Sequence, residues 1–191
     1  MLSKEDYDIV LATSTGALPA WMARKYPEVE RVDYEGRRHK FGQRHNACPN
    51  SEVFRKYSVA LAAKLAERYA SNPHVKCWHV SNEYGGTCYC ENCEKAFRIW
   101  LRKKYGTLDA VNKAWNTEFW GHTFYDWEEI VAPNSLSEGL WDERSAFAGL
   151  SIDYKRFNSD SMLQNYMDER DAIRKYDKEA VITTNLMGTY K

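Results

Sequence analysis

Cys88-Tyr89-Cys90-Glu91-Asn92-Cys93 places three thiols within six residues. Tetrahedral zinc takes four ligands, with sulfur at ~2.3 Å, and C-x-C and C-x-x-C spacings hold thiols at such separations without strain. A fourth ligand must come from elsewhere in the chain. Cys48, in a loop between the first strand and the first long helix, is the best candidate; Cys77 falls inside a strand and reads as a buried core thiol. Four sulfur ligands would leave no coordination position open to water, so such a metal is structural. The same residues admit a redox reading, because Cys90 and Cys93 straddle a helix start, where thiol pKa falls. A third cysteine two residues earlier is awkward for that chemistry and natural for a metal, so the spacing favours zinc.

The second stretch with chemistry in it is Ser81-Asn82-Glu83-Tyr84-Gly85-Gly86, directly after the apolar run Val75-Lys76-Cys77-Trp78-His79-Val80. In parallel α/β architectures, side chains at the C-terminal strand ends converge above the sheet, and sites are assembled there. A carboxyl held there against aromatic residues loses hydration and keeps a proton that a leaving group can take. Asn82 could orient a substrate hydroxyl by donating and accepting at once. The alternative is that Glu83 caps a turn or faces water. The residue chemistry alone leaves these two readings open.

The elements that must carry these residues follow from periodicity. Tyr7-Asp8-Ile9-Val10-Leu11-Ala12-Thr13 reads as a buried strand ending in the small residues Ser14-Thr15-Gly16-Ala17. Residues 28–40 carry mixed charges and Gly36, which predicts a surface loop or short hairpin with solvated carboxylates. A helix follows, capped by Asn50 or Ser51, with Val53, Tyr57, Leu61, Leu65 and Tyr69 every fourth residue and an end near Ser71-Asn72-Pro73. The run Val75–Val80 is a second strand. A helix with Phe97, Trp100 and Leu101 on one side stops at Tyr105-Gly106, and Thr107 caps a shorter one holding Leu108, Val111 and Trp115. Residues 116–149 are irregular and rich in Trp, Phe and acidic side chains, as loops that cover a site often are. A long helix is predicted from about Leu150 to Tyr176, then a third strand, Ala180–Thr184, and the turn Asn185-Leu186-Met187-Gly188. Strands alternating with helices predict a parallel α/β sheet. A closed (β/α)₈ barrel needs eight strands and about 250 residues. The chain is therefore either a small open sheet or a piece of a barrel, and the lack of helical sequence outside the first and last strands favours the piece.

Bulk composition narrows the function classes. Lys plus Arg equals Asp plus Glu at 27 each, and no polybasic cluster is visible, so nothing attracts a phosphate backbone and nucleic acid is not an expected partner. No apolar run approaches the ~18 residues of a membrane span, and the start, Met1-Leu2-Ser3-Lys4-Glu5-Asp6, lacks the apolar stretch of a signal peptide. The cytoplasm is the expected compartment, with no membrane partner. Aromatics reach 14%, with seven tryptophans, which suits a sugar-binding cleft, though cores use them too. Five cysteines, an odd number without a secretion signal, argue against a disulfide framework.

Several segments together resemble glycoside hydrolase family 42, the bacterial β-galactosidases. They are Leu11-Ala12-Thr13 with Leu18-Pro19-Ala20-Trp21, then Phe41-Gly42-Gln43-Arg44-His45-Asn46-Ala47-Cys48-Pro49-Asn50-Ser51, Trp78-His79-Val80-Ser81-Asn82-Glu83-Tyr84-Gly85, and Cys88-Tyr89-Cys90 with Cys93. Phe97-Arg98-Ile99-Trp100-Leu101, Tyr105-Gly106-Thr107-Leu108, Asn112-Lys113-Ala114-Trp115-Asn116-Thr117-Glu118-Phe119-Trp120 and Thr184-Asn185-Leu186-Met187-Gly188 complete the set, in order along nearly the whole chain. The resemblance implies that residues 1–191 are a fragment of a single (β/α)₈ catalytic domain, a partial TIM barrel with approximately strands three to five and their helices. It implies Glu83 as the acid/base, Asn82, Arg44 and Trp120 as galactose-binding residues, and Cys48, Cys88, Cys90 and Cys93 as ligands of a structural zinc. A homotrimer is implied for the full-length protein. Ala47 departs from the family, where tyrosine is common at that position, so packing beside the implied zinc ligand is expected to differ.

The implied reaction is two-step retention on a terminal β-galactoside. A glutamate attacks the anomeric carbon while Glu83 protonates the glycosidic oxygen, and Glu83 then deprotonates the water that releases the sugar; such carboxyl pairs stand ~5–5.5 Å apart. The family's nucleophile follows the seventh strand, downstream of Lys191, so the resemblance implies that this chain lacks it and is inactive alone. Two rival functions stay in view. One is another retaining barrel glycosidase, since an Asn–Glu pair at this strand end is widespread among them. The other is a noncatalytic, zinc-stabilised binding domain.

Overall fold

The computed structural model describes residues 7–140, 144, 145 and 147–186. Met1–Asp6, Met187 and Gly188, named above, lie outside the described residues. A three-stranded parallel sheet carries β1 (Ile9–Ala12), β2 (Val75–His79) and β5 (Ile182–Thr183), with β2 in the middle. The register pairs Val10 with Cys77, Leu11 with Trp78 and Ala12 with His79, and on the other side Trp78 with Ile182 and His79 with Thr183. Because all three strands run the same way, the loops after Ala12, His79 and Thr183 leave at one edge. That common edge is what gathers the candidate site.

The first crossover is α2 (Glu52–Tyr69), preceded by the short α1 (Ala20–Lys25). Of the two possible caps, Ser51 does the work: its Oγ accepts from the Phe54 amide at 3.2 Å, satisfying an otherwise orphaned helix donor. The Val53–Tyr69 stripe is not the deepest face of this helix. Ser58, Ala62 and Ala66 are buried while Leu61 is largely exposed, because small side chains let α2 approach α5 closely. The second crossover holds α3 (Glu91–Tyr105), α4 (Leu108–Trp115) and α5 (Ala148–Arg174). Gly106, at φ 78°, ends α3 where other residues would be strained, and Thr107 Oγ1 accepts from Ala110 N at 3.2 Å to start α4. The region predicted to be irregular includes a 3₁₀ turn, Trp127–Glu129, and a two-stranded antiparallel pair, β3 (Gly139–Leu140) with β4 (Arg144–Ser145).

Separate cores result. One lies between the sheet and α2 and α5, where Ala62, Ala66, Ala172 and Ile173 close over Trp78 and Val80. A further one lies among α3, α4 and α5, where Phe97, Leu101, Val111, Trp115, Tyr154 and Phe157 pack in one cluster with the four cysteines. Each fully buried side chain of this size contributes roughly 1.5–3 kcal/mol over its exposed state. Among the described residues, no helix is long and apolar enough to cross a membrane.

Two expectations are corrected. Residues 28–40 do form a surface segment, closed by a Val32–Arg38 bridge, but not all of its carboxylates are solvated. Glu30 is 3% exposed, and Asp33 accepts from Arg37 and pairs with His39. Cys77 is half-buried rather than a core thiol, because β2 turns Trp78, and not its neighbour, into the helix-covered face.

Candidate functional site

Val80-Ser81-Asn82-Glu83-Tyr84 leaves the middle strand, so neighbours on both sides can hold it. Thr13 Oγ1, after β1, accepts from the Ser81 amide at 2.9 Å, and Thr184 Oγ1, after β5, donates to Val80 O at 2.8 Å. Asn185 Oδ1 accepts from the Glu83 amide at 2.9 Å, and Tyr84 bridges Leu186 in parallel. Gly16 lies so close to Asn82 that a Cβ there would stand 3.3 Å from its amide nitrogen, a close approach only glycine allows without displacement. Ser81 and Glu83 both adopt left-handed backbone, φ 54° and 50°, uncommon for residues with a Cβ and found where the surroundings enforce it.

The loop after β1 also brings in the Gly42–Cys48 segment, through an Ala17–Arg44 bridge. Arg44 Nη1 stands 2.7 Å from Glu83 Oε2. The approach is off the hydrogen-bonding direction, so Oε2 is a buried acceptor with a cation beside it and no donor aimed at it. His45 Nε2 hydrogen-bonds Asn82 O; a carbonyl only accepts, so this nitrogen carries the proton. Burial lowers the His45 pKa, against the pull of that carbonyl, and so disfavours the charged ring. The ring stacks on Tyr84, centroids 5.8 Å apart at 13°.

Glu83, Arg44 and Asn82 are thus brought together. Trp120 is not joined to them: it is 81% exposed, at φ 50° in the loop after α4, with its ring stacked on Phe119 at 4.5 Å. Among the described residues no hydrogen bond or ring contact ties it to Glu83.

The four cysteines do meet. Cys48, Cys88, Cys90 and Cys93 are all buried, and their sulfurs lie within 4.8 Å of one another. Cys48 Sγ is 3.5 Å from Cys93 Sγ and 3.4 Å from Cys90 Sγ, and Cys90 Sγ is 3.9 Å from Cys93 Sγ. These separations far exceed a disulfide bond of ~2.05 Å and approach the about 3.8 Å between vertices of a tetrahedron with 2.3 Å arms. The Asn50 backbone N–H donates to Cys48 Sγ and its side-chain amide to Cys93 Sγ, both at 3.4 Å, which favours sulfur as thiolate. Hydrogen bonding with Cys48, Cys88 and Cys93 lowers the Cys90 pKa, while hydrogen bonding with Cys88 and Cys90 raises that of Cys48, and hydrogen bonding with Cys48, Cys88 and Cys90 raises that of Cys93. A buried set of this composition fits a tetrahedral thiolate-binding metal ion.

The family model for glycoside hydrolase family 42, described as Beta-galactosidase, matches residues 1–191. The chain belongs to glycoside hydrolase family 42. Within it, the chain is 65% identical over 180 residues to Beta-galactosidase BgaP of Planococcus sp. (strain L4), covering 94% of this chain and 27% of that protein. Beta-galactosidase LacZ of Lactobacillus acidophilus is 53% identical over 189 residues, 98% of this chain and 28% of its own length. The crystal structure of the β-galactosidase from Bacillus circulans sp. alkalophilus superposes with a TM-score of 0.95 at 62% identity, covering 99% of this chain and 28% of that one. The chain therefore spans about a quarter of the length of the family 42 relatives it matches. The family resemblance read from the motifs is borne out, as is the small parallel sheet.

Sequence reasoning missed Asn185, Thr13 and His45 as members of this network, and with them Thr15, whose Oγ1 is 3.1 Å from Thr13 Oγ1, and Glu169, which accepts from Thr15 at 2.8 Å. His45 adjoins Arg44 and could have been suspected. Thr13, Thr15 and Asn185 follow strands, and the positions after parallel strand ends were signal enough to list them. Glu169, on α5, carried none.

Proposed function

We propose that this chain is the acid/base-bearing section of a retaining β-galactosidase, approximately strands three to five of a single (β/α)₈ domain. The observation that carries it is Glu83 itself: a carboxyl at the C-terminal end of the middle parallel strand, its side chain 25% exposed, with Arg44 Nη1 2.7 Å from Oε2. Family membership and the names of the similar β-galactosidases support the substrate class. In this reading Glu83 gives its proton to the glycosidic oxygen and takes one back from water in the second step, with the nucleophile supplied by sequence beyond this chain. Arg44 contacts the galactose and, 2.7 Å from Oε2, stabilises the Glu83 carboxylate after the proton has left. Asn82 and Trp120 bind the galactose, the first by hydrogen bonds and the second by presenting an aromatic face. Cys48, Cys88, Cys90 and Cys93 would hold a structural zinc, whose closed four-sulfur shell ties the Arg44–Cys48 loop to the start of α3.

The test is Glu83→Gln in the full-length polypeptide carrying this sequence. General acid/base catalysis is typically worth ~10²–10⁴-fold, and a loss in that range is expected for galactosides with poor leaving groups. Turnover near the unsubstituted level would overturn the assignment.

A further inference from the structure

We propose that Glu169 is a positioning residue for Glu83, acting through Thr15 and Thr13 on the backbone at Ser81. The inference rests on the reading of Glu83 as acid/base. Glu169 is 2% exposed on α5, and among the described residues no cation pairs with it. Its two carboxyl oxygens lie 2.8 and 2.9 Å from Thr15 Oγ1. Thr15 Oγ1 is 3.1 Å from Thr13 Oγ1, and Thr13 Oγ1 accepts from the Ser81 amide. Donor accounting gives this chain a direction. The Ser81 N–H spends its proton on Thr13, Thr15 spends its proton on Glu169, and Thr13 donates toward Thr15.

A buried carboxyl without a cation lowers stability, so its contribution here is orientation rather than energy. It holds the Thr15 hydroxyl pointing toward α5, which leaves the Thr15 oxygen to receive Thr13, and Thr13 to receive Ser81. Burial raises the Glu169 pKa to about 7, against the hydrogen bond that Thr15 donates. Either protonation state keeps an acceptor oxygen for Thr15. At the far end, Ser81 and Glu83 sit in left-handed backbone that persists only while its surroundings enforce it. Released from Thr13, Ser81 can relax and carry Glu83 with it, and a displacement near 1 Å at a reacting group can cost ~10²-fold.

The experiment compares two substrates in the full-length polypeptide carrying this sequence. A β-galactoside with a sugar or alkyl leaving group needs a well-placed acid. A dinitrophenyl β-galactoside does not, and with azide present to replace base-activated water it needs no acid/base at either step. Glu83→Ala is the reference and should show a large loss on the first substrate and a small one on the second. Glu169→Leu and Thr15→Val should reproduce that split at lower amplitude, about tenfold against under about twofold, a fraction of what a general acid supplies. Glu169→Gln, which retains an acceptor oxygen, should restore the first substrate. Thr15→Val, nearly unchanged in volume, carries the test should the leucine variant fail to fold. Equal losses on both substrates, or unimpaired turnover of the first by a folded variant, would sink the inference. Absence of the split in Glu83→Ala would instead sink the acid/base reading beneath it.

Discussion

Sulfur chemistry separates the five cysteines residue by residue. Four are buried with their sulfurs mutually close, and Cys77 stands apart on β2 with its thiol 3.5 Å from Trp78 O. The short spacing of Cys88, Cys90 and Cys93 was readable because a tight turn brings neighbours together whatever the fold. Cys48 was a choice between two, and only the path of the loop before α2 decided it. Replacing Cys48 by Ser in the full-length polypeptide should reduce bound zinc from about one equivalent to a minor fraction and lower Tm, since metal binding and folding share their free energy. Cys77→Ser should leave both unchanged. Metal content by atomic emission and a thermal melt check this; equal metal in the two variants would refute the four-sulfur site.

At the scale of elements, α5 holds the molecule together and was the least legible piece. Its buried face includes Leu150, Asp153, Tyr154, Phe157, Ser161, Asn165, Glu169 and Ile173. The spacing is helical, but four of these are polar, so an apolar pattern could not find the face. Each polar member has partners. Asp153 accepts from Tyr105 Oη at 2.7 Å and Trp115 Nε1 at 3.1 Å and pairs with Lys104, so one carboxylate joins α3, α4 and α5. Burial works against its charge, yet the hydrogen bonds of Lys104, Tyr105 and Trp115 prevail and its pKa is lowered. The unfolded chain therefore binds the proton first. The stabilisation is full above the ordinary aspartate value of ~3.9 and is lost as pH falls through the lower folded value. Asp153→Asn should cost about 1–3 kcal/mol at neutral pH by removing charge from hydrogen bonds that need it. Its unfolding free energy should also fall less steeply below about pH 4 than that of the unsubstituted protein, measured by denaturant titration.

For the whole molecule, the sheet has β2 in the middle and β1 and β5 as its outer members, with Val10 and Val181 exposed. Unpaired strand edges recruit other chains. The 191-residue chain by itself is expected to associate or aggregate at micromolar concentration and to release no galactose from β-galactosides, since one carboxyl of the pair required for retention is expected elsewhere. Light scattering and a galactoside assay on the purified chain test both statements. A monomer that melts cooperatively would overturn the first, and Glu83-dependent turnover at enzymatic rates would overturn the second.

Local chemistry along the chain was enough to determine the order of the three parallel strands and of helices α2 to α5, the caps at Thr107 and Gly106, the cysteine spacing, and the family through its ordered motifs, but not α1 or the β3–β4 pair. Each depends on contacts within a few residues, or on identity alone. Tertiary structure decided that Cys48 joins the cluster and Cys77 does not, that Ser58, Ala62 and Ala66 form the inner face of α2, that Asn185 secures the Glu83 amide, and that Glu169 reaches Thr15. Those pairings arise where parallel strands end side by side and a distant helix packs beneath them. A one-dimensional pattern does not carry that geometry, because the residues that meet are separated by whole elements and include polar side chains no hydrophobic period would select.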